Sequence, residues 1–205
     1  MGRLLTGPAE LVAEGDGRVL GRLLIGALIC FGVYGALAGF FEPQGGQVLI
    51  ATFKAMLIPV LALLLCAPSF VVFHLLSEEP LPSRLLPRLL VAYAAFCGLV
   101  LVALGPVVWL FSVSSRYLGF VTLFHCFVWG VVLLLGIRFL TRAAGSARFL
   151  GQLIVWSVLV GVVTLQLVAY LGPVLVKHPE GQTFPLEKGS FFTRFGEAID
   201  HHAEE

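Results

Sequence analysis

No aspartate or glutamate interrupts any long apolar run of this chain; all 12 acidic residues lie at its ends or in its connections. Proton-coupled transport usually places a carboxylate inside the membrane, so that absence lowers the case for a pump or secondary transporter. Charge of either sign is scarce: 12% of residues are charged against 59% apolar, and the mean hydropathy is +0.98. Too little polar surface remains for a soluble globule, so the solvent is lipid. A net charge of +1, with no basic face or stripe readable along the sequence, gives no electrostatic case for nucleic acid as a partner. The four cysteines, Cys30, Cys66, Cys97 and Cys126, all fall in apolar runs, with no CxxC pair and no Cys/His spacing suited to zinc. There is no GxSxG, HExxH or Walker loop, so neither an enzyme nor a bound cofactor is expected. The N-terminal stretch lacks the short apolar core and cleavage site of a signal peptide, and Thr6 fits a myristoylation pattern only loosely.

What the chain has is length of apolar sequence. The runs predict an all-α membrane bundle of five spans, at about 19–41, 48–76, 89–111, 117–140 and 150–176. Residues 1–18 form a cytoplasmic segment, in which Pro8 opens a brief interfacial helix. In the first span Gly32, Gly35 and Gly39 share a face, and Gly35 with Gly39 makes a small-xxx-small pair. Packing within the chain is its ordinary use; contact with a partner is the alternative. The short turn EPQGGQ makes an antiparallel hairpin of the first two spans, and Gly105-Pro106 and Gly172-Pro173 mark bends near the ends of the third and fifth.

Orientation follows from the basic residues beside the spans. Arg3, Arg18, Arg22, Arg84, Arg88, Arg138, Arg142 and Arg148 fall on one side; Arg116, Lys177, Lys188 and Arg194 fall on the other. The richer side is cytoplasmic by the positive-inside rule, so the N-terminus is inside and residues 177–205 form an extracytoplasmic tail.

The second span is the least ordinary. Pro59 and Pro68 each remove a backbone donor, which frees the carbonyls of Ala55 and Leu64 and favours a kink. Lys54 lies early in the same span and admits two readings. Its stem snorkels to the outer interface, with Glu42 as a possible partner, or its ammonium makes an anion or lipid-headgroup site beside the Pro59 kink. His125, inside the fourth span, is the other candidate, as a structural histidine or a titrating or ligating one. His74 lies near the opposite face, so the two do not share one haem. Ser69, Thr164 and Gln166 are modest interior polar groups that more often bond between helices than line a path.

Several stretches together, GPAELVAEGDGRVLGRLL, VYGALAGF, FKAMLIPVLALLLCAPSFVVFHLL and QLVAYLGPVLVKHP with GSFFTRF, resemble a family of uncharacterised bacterial polytopic membrane proteins, loosely similar to the Yip1 domain. The family's K-x-P-like and P-S-x-x-V elements fall here on Lys54, Pro59, Pro68, Ser69 and Val72, with a longer lysine-to-proline distance. Its Q-M…W-x-L-R-P-F element reads Gln166, Leu167, Tyr170, Leu171, Gly172, Pro173 and Val174, so its arginine is Gly172 and no arginine role carries over. A G-N-F-aromatic element is matched by Gly189, Ser190, Phe191 and Phe192. The resemblance implies a bacterial membrane architecture of about five spans and no particular activity.

In the tail, Phe191, Phe192, Phe195 and Ile199 follow helical spacing opposite Arg194, Glu197 and Asp200. A short amphipathic helix is expected, lying on the bilayer, against the spans or on a partner. The sequence as a whole predicts a non-catalytic accessory or scaffolding subunit of a larger complex in the bacterial inner membrane, touching lipid and other membrane subunits. A small transport or lipid-handling protein using the second span is the alternative.

Overall fold

A computed structural model of the protein describes residues 9, 10, 12, 16–41, 46–76, 82, 84–115, 118–143 and 150–171. Helices account for its architecture, with no strand among the described residues: α1 (Gly17–Gly39), α2 (Gln47–Leu75), α3 (Leu85–Ser114), α4 (Leu118–Ala143) and α5 (Leu150–Tyr170). All five are long and apolar enough to cross a membrane. The protein is therefore an all-α membrane-spanning chain; the bounds of α2 lie within one residue of its apolar run and those of α4 within three.

The ends have local causes. Asp16 caps α1, its Oδ1 accepting from Gly17 N at 2.7 Å. Gly46 precedes α2 at φ 79°, a left-handed conformation that glycine adopts without a Cβ penalty. α3 begins at Leu85, earlier than the sequence predicts, because Pro87 sits in the first turn, where a missing N–H costs no helical bond. α3 continues past Gly105-Pro106 to Ser114, and α2 runs through Pro59 and Pro68 without a break. With 29 and 30 residues, α2 and α3 exceed a ~30 Å hydrocarbon core at ~1.5 Å per residue. They tilt or reach into the headgroups. Residues 9, 10 and 12 are helical, in keeping with a short N-terminal helix. The tail with Phe191, Phe192 and Phe195, and the Gly172-Pro173 bend, lie outside the described residues.

The helices close a ring. α1 packs on α2 and α3, α3 on α4, α4 on α5, and α5 on α2, with a smaller contact between α2 and α3. The glycine face of α1 is what admits α2. A Cβ on Gly35 would meet the Ala51 carbonyl oxygen at 2.7 Å, and one on Gly39 would meet Ala51 Cβ and Val48 Cα, each at 2.9 Å. Gly35 and Gly39, candidates for contact with a partner, are thus engaged inside the chain, where their small size lets two backbones approach. Gly136 does the same for α4, since a Cβ there would stand 2.6 Å from the Tyr93 ring of α3.

Large side chains fill the interior. Trp156 of α5 is 0% exposed, with Phe70 of α2 at 4.7 Å and Tyr93 of α3 at 5.5 Å between ring centroids. Above this layer Phe31, Ile58, Ala62, Leu101, Val128, Val132 and Val160 continue the buried core. The outer faces are apolar too: Leu49 is 76% and Phe127 68% exposed. In water such a surface would be unstable; in lipid it is the natural exterior.

Candidate functional site

α2 turns one seam inward, Gln47, Ala51, Lys54, Ile58, Ala62, Cys66, Phe70 and His74, repeating at intervals of three and four. Three polar residues therefore enter an otherwise apolar interior. Lys54 is 2% exposed, so protein covers its side chain, and it is partnered; Glu42, the pairing residue that the sequence offers, lies outside the described residues. The reason is its register: Lys54 follows Ala51 on the face that packs on the α1 glycines, and Gly35 lies between Ala51 and Ala55. The same contact sets Lys54 level with Tyr34.

Tyr34 brings in His125. Its hydroxyl and His125 Nδ1 are 2.7 Å apart and share one hydrogen bond, the donor depending on the imidazole tautomer. The rings meet edge to face at 5.8 Å, and Trp129 closes on Tyr34 in the same manner at 6.3 Å. Among the described residues, His125 Nε2 is buried with no hydrogen-bond partner, as is Ser112 Oγ of α3. A polar layer thus joins α1, α2 and α4 about two turns inside the end of the bundle where α2 begins. His74 lies near the far end of α2, apart from His125, and the described residues hold no group of three or more metal-ligating side chains.

The remaining sequence candidates go elsewhere. Pro59 is buried and Pro68 exposed. Ser69 Oγ donates to Cys66 O at 2.7 Å, within its own helix, and Thr164 Oγ1 donates to Val160 O at 2.7 Å in α5. Gln166 is exposed. Ser69 and Thr164 do not bridge helices, because a hydroxyl on a helix reaches its own preceding carbonyl more readily than a neighbouring chain. The bond between helices at this part of α2 comes from Trp156, whose Nε1 donates to Cys66 O at 3.0 Å. That carbonyl lies two residues beyond Leu64, whose helical donor Pro68 removes.

Sequence reasoning missed Tyr34, Trp129, Tyr93 and Trp156. Their signal was a polar atom on a large ring inside a span, where an aromatic N–H or O–H seeks a partner. For Tyr34→Phe the expected outcome is a loss of about 1–3 kcal/mol, because His125 then has neither ring nitrogen bonded. Tyr34→Phe combined with His125→Leu recovers part of that loss, read as thermal stability in detergent.

Comparison with protein-family models, with curated proteins and with solved structures finds no match to this chain.

Proposed function

We propose that this protein is a non-catalytic integral membrane protein acting as an accessory or scaffolding subunit of a larger membrane assembly. The observation that carries this reading is the filled interior. Trp156, Tyr93, Phe31, Leu89 and Leu101 are fully buried in the ring of helices, and residues of that size occupy the space that a path or reaction chamber would need. A closely packed body with a wide apolar exterior is suited to holding neighbours in place. The membrane is the bacterial inner membrane, in line with the family resemblance of the sequence. The arginine-rich end of the bundle and the N-terminus face the cytoplasm, and the C-terminal tail lies across the membrane.

The test is isolation from native membranes in mild detergent, with the mass of the intact species determined. Other membrane subunits recovered in fixed stoichiometry support the proposal; a lone monomer or homo-oligomer contradicts it.

One observation favours a second reading, a small transport or lipid-handling protein: Lys54 is buried level with the Tyr34–His125 pair. Buried ionisable groups in membrane spans mark functional sites more often than chance. Lys54→Met separates the two readings. Loss of lipid or solute movement in a variant that remains folded supports the second, and an unchanged variant removes it.

A further inference from the structure

The end of the bundle where α1 and α3 begin carries six arginines and no lysine in its described helices and caps: Arg18 and Arg22 on α1, Arg84 and Arg88 at the start of α3, Arg138 and Arg142 near the end of α4. Each helix presents them four residues apart, on one face, one turn above the other. α3 packs between α1 and α4, so the three pairs belong to one continuous wall. At the opposite end the described residues carry no arginine, and Lys54 is the only lysine, buried.

Two like charges four apart on a helix repel each other, and the repulsion is relieved when an anion lies between them. Among the described residues, the pairs on α1 and α4 have nothing that relieves it, and Arg88 alone is partnered. Arg88 reaches the carbonyl of Val12 at 3.5 Å. The side chains of Arg18, Arg22, Arg84, Arg138 and Arg142 make no hydrogen bond or ion pair among the described residues, and these residues are exposed. Asp16 Oδ1 accepts from Gly17 N at the cap of α1. Arg22 and Arg138 lie more than a turn inside their helices, at a height from which a guanidinium reaches the phosphate level of a bilayer.

From this arrangement we infer that the arginine pairs of α1, α3 and α4 form a binding surface for the phosphodiester groups of acidic phospholipids. Guanidinium is suited to the task because its planar fork donates two parallel hydrogen bonds to one phosphate, which an ammonium does not. Lipids with net negative charge bind in preference to zwitterionic ones, whose own ammonium opposes the arginines. The inference stands apart from the scaffolding proposal, since a subunit and a transporter would both use such a surface.

The experiment uses the full chain, freed of native lipid in detergent and titrated with phosphatidylglycerol or phosphatidylcholine of matched acyl chains, bound lipid being resolved by native mass spectrometry. Phosphatidylglycerol is expected to bind about tenfold more tightly, and Arg22→Gln with Arg138→Gln to lose most of that preference. Arg22→Lys with Arg138→Lys restores part of it, because charge returns without the fork. Equal affinity for the two lipids overturns the inference. An unchanged preference in the glutamine variant overturns it as well, and full recovery by lysine overturns the bidentate geometry. Inorganic phosphate is added as a competitor. Displacement of the lipid by millimolar phosphate would reassign the surface to free phosphate; retention of the lipid supports the inference. If the glutamine variant fails to accumulate, the comparison of the two lipids on the unaltered chain decides alone.

Discussion

Trp156→Ala is expected to destabilise the bundle by roughly 3–5 kcal/mol, the range for removing a large aromatic from a packed interior. Trp156 is fully buried and stands where three helices meet, against Phe70 of α2 and Tyr93 of α3. Its loss leaves a cavity whose walls belong to helices held by other contacts, so collapse is incomplete. The substitution also removes the donor to Cys66 O. Trp156→Phe isolates that second effect, because it keeps most of the ring and costs only about 1 kcal/mol for the lost bond, plus a smaller packing loss. The measurement is thermal unfolding in detergent, followed by thiol labelling of the buried Cys66 and Cys97. Labelling should begin at a clearly lower temperature in the alanine variant and close to the native temperature in the phenylalanine variant.

Gly35→Leu should act as strongly through the opposite mechanism, overpacking. The contact at 2.7 Å is with a backbone oxygen of α2, which cannot swing aside as a side-chain end can. Even Gly35→Ala forces α1 away from α2, at an expected ~1–3 kcal/mol. Leucine adds its branched end to the same clash, so the hairpin of α1 and α2 should no longer close and folded protein should not accumulate. Gly130→Ala is the matched control: a Cβ there meets nothing within 4 Å, and the variant should behave as the native chain. Monodispersity on size exclusion and the thermal midpoint read both variants.

The five helices were legible because hydrophobic length is a local property of the sequence. α2 and α4 begin and end within a few residues of the apolar runs that predict them. Which face of each helix turns inward was far less legible, for a physical reason. Soluble helices advertise their buried face by contrast with a polar one, whereas here Leu49 and Ile58 look alike although the first is exposed and the second buried. Small residues were the better guide. Gly35 and Gly39 marked a close approach in the sequence, and the structure identifies α2 as the helix that uses it.

The polar residues divide along the same line. Lys54 and His125 stood out as singular groups in apolar runs, and both lie in the interior layer with Tyr34. Their meeting was not readable, since Tyr34 and His125 are 91 positions apart and no local pattern links α1 to α4. Ser69 and Thr164 were read as bonding between helices, yet each bonds to its own helix. The arginines were counted in the sequence for orientation alone. Their pairing on three adjoining helices emerges only when α1, α3 and α4 are brought side by side.

The claim that the filled interior serves assembly rather than passage is tested most directly by reconstitution. Purified protein in liposomes, loaded with dye and with fluorescent lipid in one leaflet, should pass ions, small solutes and lipid no faster than empty vesicles. Movement well above that background, abolished by Lys54→Met in a variant that remains folded, would contradict the account and make the layer of Lys54, Tyr34 and His125 a working site.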